Sequence, residues 1–533
     1  MAKKNQIKKN PIVKSNSPDL DLMIHKYFWL VIPVFAALYY FSSKYSTGFY
    51  QDDEIGHFIN MLDFWTDPSL ILGNWPKPGY KLFLVIPSLF GLQAVLIANS
   101  LIASATVYLT YSLLRAYNIK YAFFGALLLG FQPLFFDLSF RSYGEIITAL
   151  LIVVMILFYK KEMYFLCGLA CGYIFTIRQE AALIGIALAI IFFFKKNYFA
   201  IIAIGIFPFL FNFFGYLHTG DILFVISEMS SLGEMDFGGA NRGFFHYFKV
   251  YIFIIGPVCL TLFLLGYFGF LPDTKKLKEY ILKFDLIYIV FTITFLVQVM
   301  LMVKGTNPGT WRYLLHISPL AAFFATVGLN NLASVDFKKT NYIVTGILLF
   351  FTITVLSKTS SGLDLQDVSE YWKFAVVGLT FLLTIFLFSK DTRSYLNKLS
   401  VSLIILSAVY LFFSFEPRQL TPENNSVKEI SEYLSSTEQK DKNVFITIQT
   451  TNMVRMFGDD PSNKERYTHL NTENLTKAKP GDLIIWDSHY GYRPEYKNDV
   501  KIDDIMNDKS YKMINQFTST DSRFKAAVFE KIN

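Results

Sequence analysis

The sequence predicts an all-α polytopic membrane domain of about thirteen spans, N-terminus inside and C-terminus outside, followed by a small soluble α/β domain on the outer face. Three observations carry this. Of 533 residues, 53% are hydrophobic, 17% aromatic and only 17% charged, whereas a globular chain averages about 45–50% apolar and ~25% charged. Basic residues gather in small clusters between long apolar runs. At about Glu416 the composition turns into that of an ordinary soluble domain. With three cysteines, 30 glycines and 18 prolines, the chain has too few of each for a disulfide scaffold, a collagen-like repeat or a disordered polymer.

The basic clusters are Lys3, Lys4, Lys8, Lys9 and Lys14; Arg115 and Lys120; Lys160 and Lys161; Lys195 and Lys196; Lys275, Lys276 and Lys278; Lys338 and Lys339; and Lys390 and Arg393. About two apolar spans separate each cluster from the next. This is a positive-inside pattern, so the net charge of +7 reads as topology and no nucleic-acid partner is expected. The segment before residue 27 is then a cytoplasmic basic arm. The first apolar run, about Tyr27 to Phe41, ends in Tyr39, Tyr40 and Phe41 without a small-residue cleavage site, and reads as a retained anchor. The predicted spans are 27–43, 92–114, 121–138, 144–159, 164–177, 181–194, 198–215, 248–271, 282–303, 312–333, 341–357, 373–389 and 399–415. Cys167, Cys171 and Cys259 fall inside spans and read as core packing. In the domain 416–533, Val427 to Leu434 has helical spacing. Asn443 to Ile448, Asp482 to Trp486, Tyr511 to Phe517 and Phe524 to Phe529 read as strands, with a turn at Lys479-Pro480-Gly481.

The suggestive polar residues collect on the outer side. The first outer loop, 42–80, carries Asp52, Asp53, Glu54 and His57. Behind them Phe58, Ile59, Met61, Leu62 and Trp65 have the spacing of a helix lying on the membrane surface. An acidic helix start favoured by the helix dipole is the plain structural alternative. Arg141, Tyr143 and Glu145 lie between the third and fourth spans, Arg178 and Glu180 between the fifth and sixth. Rising ~1.5 Å per residue from Lys161, the chain reaches Arg178 after only ~25 Å, short of a ~30 Å hydrocarbon core. Arg178 and Glu180 should therefore sit below the outer surface, where charge must be paired or face a polar cavity. Gly305, Pro308 and Gly309 make a loop running into a helix start with Arg312 at its lip, a suitable place for a phosphate oxygen. Asp482 to Tyr490 holds Asp, Ser and His too close in sequence to converge as a triad, and reads as turn chemistry. No P-loop, dinucleotide fingerprint, H-E-x-x-H or paired-Cys motif is present.

Taken together, these features resemble the GT-C superfamily of membrane glycosyltransferases. The likeness is closest to the branch of protein O-mannosyltransferases and the lipid A aminoarabinose transferase. The family's Asp-Glu pair falls on Asp53-Glu54, with Asp52 as an extra acid. Asn74-Trp75-Pro76-Lys77-Pro78-Gly79-Tyr80-Lys81 resembles its Pro-rich stretch before the second juxtamembrane helix. The resemblance implies transfer of a sugar, with inversion, from a polyprenyl-phosphate donor to a lipid, glycan or protein acceptor at the outer membrane face.

Under that reading Asp53 or Asp52 is the general base and Arg178, Arg312 or Arg141 meets the leaving phosphate. Glu54, Glu145, Glu180, His57 and Tyr143 orient sugar hydroxyls or arginines. No cofactor is required, although Asp52, Asp53 and Glu54 could hold Mg²⁺ or Mn²⁺. Lys-, Asn- and Ile-rich usage favours a bacterial inner membrane. A transporter or flippase of lipid-linked sugars is the rival class, but such folds carry internal repeats that this sequence lacks.

Overall fold

The computed structural model describes residues 20–233, 242–270, 275, 277–333, 343, 346–350, 372–385 and 396–533. The expected span 341–357 lies mostly outside these residues, as do the basic clusters at 3–14, 338–339 and 390–393. Within them the chain is mostly helical. Six helices are long and apolar enough to cross a membrane: Ile24–Tyr45, Leu92–Ala116, Tyr198–Thr219, Asp285–Val303, Trp311–Leu332 and Leu396–Ser414. Gly144–Lys160 and the shorter apolar segments Tyr164–Phe175, Gln179–Phe194 and Phe374–Thr384 stand where further spans were expected. Cys167, Cys171 and Cys259 are free and buried.

Two expected spans are broken. Residues 121–138 divide into Ala122–Gly130 and Pro133–Leu138, with Gln132 extended at φ −66°, ψ 132°. Residues 248–271 divide into His246–Ile255 and Pro257–Tyr267, which meet at 117°. In both, a proline removes a backbone donor and disfavours helical geometry in the residue before it, so an apolar run does not continue as one helix. Pro257–Tyr267 packs closely along Ser318–Ala333, because a Cβ at Gly266 would overlap the Phe324 carbonyl. Small residues at such a crossing let two backbones approach without a side chain between them. Around it Phe263, Phe284, Phe291, Phe323 and Phe324 form an aromatic core.

The C-terminal region forms a five-stranded mixed sheet in the order Tyr467–His469, Val444–Ile446, Leu483–Asp487, Lys525–Lys531, Tyr511–Thr518. The first three run parallel and the last two pair antiparallel. The expected strands are present. The strand at 443–448 stops at Ile446, however, because Thr447 starts a helix, Ile448–Phe457. The β-branched run Ile446-Thr447-Ile448 suits a strand by composition, yet Ile448 is exposed at the helix start. The strand Tyr467–His469, only three residues long, was also not anticipated.

One expectation is corrected. The helix Asp53–Asp63 forms with its acids in the first turn, but its apolar face is covered by protein and not by lipid. Ile55, Phe58, Ile59 and Met61 are buried in a core shared with Tyr80, Ile147 and Ile177 of the helical domain and with Val427, Ile430, Met453 and Val454 of the C-terminal region. An amphipathic period fixes which face is apolar and not what covers it.

Replacing Gly266 by Val should separate the two helices it joins and lower stability by about 1–3 kcal/mol or more. The check is the thermal midpoint in detergent, and an unchanged midpoint would mean that the crossing is looser than described.

Candidate active site

The site is assembled from four segments that start or end at the same level. Tyr173 Oη donates to the Gly79 carbonyl at 2.8 Å, and Gly79 N donates to Thr176 O at 3.3 Å. A Cβ on Gly79 would collide with Thr176 Oγ1, so only glycine lets the 74–81 elbow lie against the 173–180 turn. This contact brings Lys77 close to Arg178 and sets Tyr80 and Lys81 beside it on the elbow. The start of Gly144–Lys160 supplies Tyr143 and Glu145. The fourth segment is a seven-residue 3₁₀ helix, Trp311–Ile317, unusually long for its type. At three residues per turn, Tyr313 and His316 stand on one face.

At the centre Arg178 Nη2 donates to Glu145 Oε1 at 2.6 Å, and Arg178 Nη1 lies 3.6 Å from Glu180 Oε1. Glu145 is fully buried, and Arg178 and Arg312 are almost so. Arg312 Nη2 donates to Asp53 Oδ2 at 3.0 Å, and Trp75 Nε1 donates to Asp53 Oδ1 at 3.2 Å. The guanidinium of Arg312 covers the Tyr143 ring at 4.3 Å, and that of Arg178 covers the Tyr313 ring at 4.7 Å. Gln298, a lone amide within an apolar helix, donates to Glu180 Oε1 at 2.7 Å and accepts from Asn307 Nδ2 at 2.8 Å. Asp53 alone among these acids keeps substantial solvent access, with a third of its side chain exposed.

Several buried donors have no hydrogen-bond acceptor: Arg178 Nε, Arg312 Nε and Nη1, and Lys81 Nζ. Against them stands one unmatched carboxylate oxygen, Glu145 Oε2. Lys81 is fully buried with its ammonium 5.3 Å from the Trp75 ring, a contact that recovers only part of its hydration. Burial, then the neighbouring cations, push the Lys81 amine well below its usual pKa, and Lys77 falls to about 8 for the same reasons. His57 lies against Trp75, Tyr80 and Tyr143 with its Nδ1 unpartnered. Burial and the charges of Lys81 and Lys77 hold it well below its usual pKa, hence neutral. Unsatisfied buried donors are costly, and an excess of them at one point fits a ligand rich in acceptor oxygens.

The expected residues thus fall into three groups. Asp53, Tyr143, Glu145, Arg178, Glu180 and Arg312 converge, with His57 beneath. Glu54 and Arg141 bind each other at 3.2 Å instead; Arg141 also donates to Gly48 O, Ser46 Oγ and Asp137, and Glu54 accepts from Tyr50 N at 2.6 Å. Asp52 turns toward the C-terminal region, where burial and the Glu423 carboxylate raise its pKa. The three consecutive acids point to three different partners and do not make one ligand set for Mg²⁺ or Mn²⁺. Among the described residues no group of three or more His, Cys, Asp or Glu could hold a metal ion.

Lys77, Tyr80, Lys81, Gln298, Tyr313 and His316 are additions to the expected set. Lys77 and Lys81 had a signal: two lysines in an outer loop oppose the positive-inside bias and need another reason to be there. His246 is buried and bonded to Gly309 O at 2.8 Å, which anchors the loop before Arg312. The Asp482–Tyr490 stretch does form a turn, with Asp487 Oδ1 accepting from His489 N and Tyr490 N at 3.0 and 2.7 Å.

In the described residues, helix ends gather around a cationic cluster and a small α/β region packs against the helix Asp53–Asp63. Among solved structures, the chain is similar in fold to ArnT from Cupriavidus metallidurans bound to undecaprenyl phosphate, with TM-score 0.61, 12% identity and coverage of 95% of this chain and 98% of that one. The apo form of the same ArnT matches at TM-score 0.55 and 10% identity over the same shares. ArnT is the lipid A aminoarabinose transferase, and the fold is shared over nearly the whole chain. No protein-family model matches the sequence, and no curated protein does either.

Lys77 is charged below about pH 8 and neutral above it. A phosphate monoester is already a dianion from pH 7, since its second pKa is about 6. Its affinity should therefore fall as pH rises above about 8, and Lys77→Met should flatten that fall. Titration of the purified protein with a short-chain alkyl phosphate from about pH 7 to 10 checks it; equal slopes for both proteins would remove Lys77 from the site.

Proposed function

We propose that this protein is an integral-membrane, inverting glycosyltransferase that moves a sugar from a polyprenyl-phosphate carrier to an acceptor at the outer face of the membrane. The observation that carries the reading is the surplus of buried, unmatched donors on Arg178, Arg312 and Lys81 beside a solvent-accessible carboxylate, Asp53. A leaving phosphate supplies the missing acceptors, and a carboxylate one arginine away supplies the base. The fold shared with ArnT, one structure of which holds undecaprenyl phosphate, supports a lipid-linked donor. We also propose thirteen spans, N-terminus in the cytoplasm and C-terminal domain outside, in a bacterial inner membrane. The convergence of Asp53 with Arg178 and Arg312 supports a transferase over a flippase, which needs no base at its phosphate site.

In this scheme the acceptor hydroxyl oxygen attacks the anomeric carbon from the face opposite the phosphate. The new C–O bond forms as the sugar–phosphate bond breaks, and the hydroxyl proton passes to Asp53. Polyprenyl phosphate departs with the added negative charge, which Arg178, Arg312, Lys77 and Lys81 stabilise without moving far. Anion binding also restores the protonated forms that burial disfavours in the two lysines. Arg312 touches both Asp53 and the phosphate position, and so ties base and leaving group into one geometry. Glu145 and Glu180 hold Arg178, and Tyr143 and Tyr313 are flat supports for the two guanidinium groups. Glu54 and Arg141 fix the loop that presents Asp53. Asp52 is placed on the acceptor side.

Asp53→Asn should lower turnover by about 10²–10⁴-fold at normal expression, while Asp52→Asn retains most of it. Arg178→Ala should weaken donor use. The assay is transfer in detergent from polyprenyl-phosphate sugars extracted from host membranes, read by mass spectrometry. Two fully active Asp variants would sink the assignment of the base.

A further inference from the structure

Residues beyond position 416 hold the far end of the helix Asp53–Asp63 and the loop that leads into it. At its far end Arg455 Nη1 and Nη2 donate to Asp63 Oδ2 and Oδ1 at 2.8 and 2.6 Å, and Arg455 Nε donates to Pro461 O at 2.9 Å. Both side chains are buried, Arg455 at 3% and Asp63 at 7% exposure. At its near end Gly48 N donates to Arg418 O at 2.9 Å, Arg418 N donates to Ser46 Oγ at 2.9 Å, and the Arg418 side chain pairs with Asp137 at 2.9 Å. Asp137 in turn holds Arg141, which holds Glu54.

We propose that Arg455 is a positioning residue: through its two-pronged pair with Asp63, the C-terminal domain sets where the helix presents Asp53 to Arg312. The proposal rests on the reading of Asp53 as the base. The helix has eleven residues, so Asp63 lies ~15 Å from Asp53 along a rigid rod, and a shift at one end arrives at the other. Apolar packing of Met453 and Val454 against the helix already docks the two parts. Such packing is non-directional, whereas a two-pronged guanidinium–carboxylate pair fixes both distance and rotation. The groups assigned to the donor phosphate, Arg178, Arg312, Lys77 and Lys81, belong to the helical domain. Loss of Arg455 should therefore damage turnover and spare phosphate binding.

The test uses the full-length protein in detergent with Arg455→Ala, Arg455→Lys and the charge-exchanged pair Asp63→Arg with Arg455→Asp. Three quantities are read: transfer from polyprenyl-phosphate sugars extracted from host membranes, affinity for undecaprenyl phosphate, and amide hydrogen exchange across residues 49–63. Arg455→Ala should lower turnover about 10- to 100-fold, since an ångström of misplacement at a reacting group costs about that much. Affinity should stay within about twofold, and exchange across 49–63 should rise. Arg455→Lys, which keeps the charge without the planar fork, should fall between, and the exchanged pair should recover part of the loss. Unchanged turnover or unchanged exchange in Arg455→Ala overturns the proposal, as does a parallel loss of undecaprenyl phosphate affinity. If Arg455→Ala does not fold, the same criteria apply to Arg455→Lys. Should Asp53→Asn be fully active while Arg455→Ala still lowers turnover and raises exchange, it is the assignment of the base that fails, and the coupling stands.

Discussion

The pair between Arg178 and Glu145 is the constraint on which the rest of the site depends. Two buried charges at the level of helix ends are tolerable only when close and well oriented, and here they meet at 2.6 Å with Glu145 fully buried. Holding them there requires the short helix Tyr164–Phe175 to end early, the elbow at Gly79 to lie flat on the turn, and Gly144–Lys160 to begin at the same depth. Each of these brings another site residue with it: Glu180 on the turn, Lys77 on the elbow and Tyr143 before the helix. The second ion pair, Arg312 with Asp53, joins this assembly through a 4.0 Å approach of Arg312 to Glu145. The cluster is one charge network with two exits, one toward solvent at Asp53 and one toward the unmatched donors.

That network has a direction. Arg312 and Trp75 hold Asp53, whereas Asp52 lies beside Glu423 and Glu54 pairs with Arg141. A single residue step along a helix start separates an acid that meets arginine from one that meets the C-terminal domain. Consecutive positions on a helix point about 100° apart, so the three acids in a row face three different directions. Their chemistry is divided among docking, presentation of the loop and the site itself.

Much of this was legible in the sequence. Positive clusters and apolar runs marked the helical domain, and length arithmetic alone marked Arg178 and Glu180 as charges that need partners, which Glu145 and Gln298 supply. The break points were written there as well, at Gln132-Pro133 and Gly256-Pro257, but hydropathy averages over them. What could not be read was mutual position. Glu54 and Arg141 carry the same residue types as Glu145 and Arg178, and only packing decides which pair faces the donors. Lys77 and Lys81 were visible as a motif and not as site groups, because their importance lies in lacking partners, a property of three dimensions. The apolar face of Asp53–Asp63 was found correctly and given the wrong cover, since a lipid surface and a protein core demand the same periodicity.

That cover has a consequence for how the chain is made. Asp63 and Arg455 are 392 residues apart, and the helix between the first span and the elbow has its outer face buried only by segments synthesised near the end. At ribosomal rates of about 5–20 residues per second, the helix waits on the order of half a minute for its partner. During that interval its apolar side and its lone aspartate face whatever surrounds the nascent protein. If Arg455 positions the helix as proposed, the site can take its final geometry only after the segment that carries Arg455 has been made and has docked.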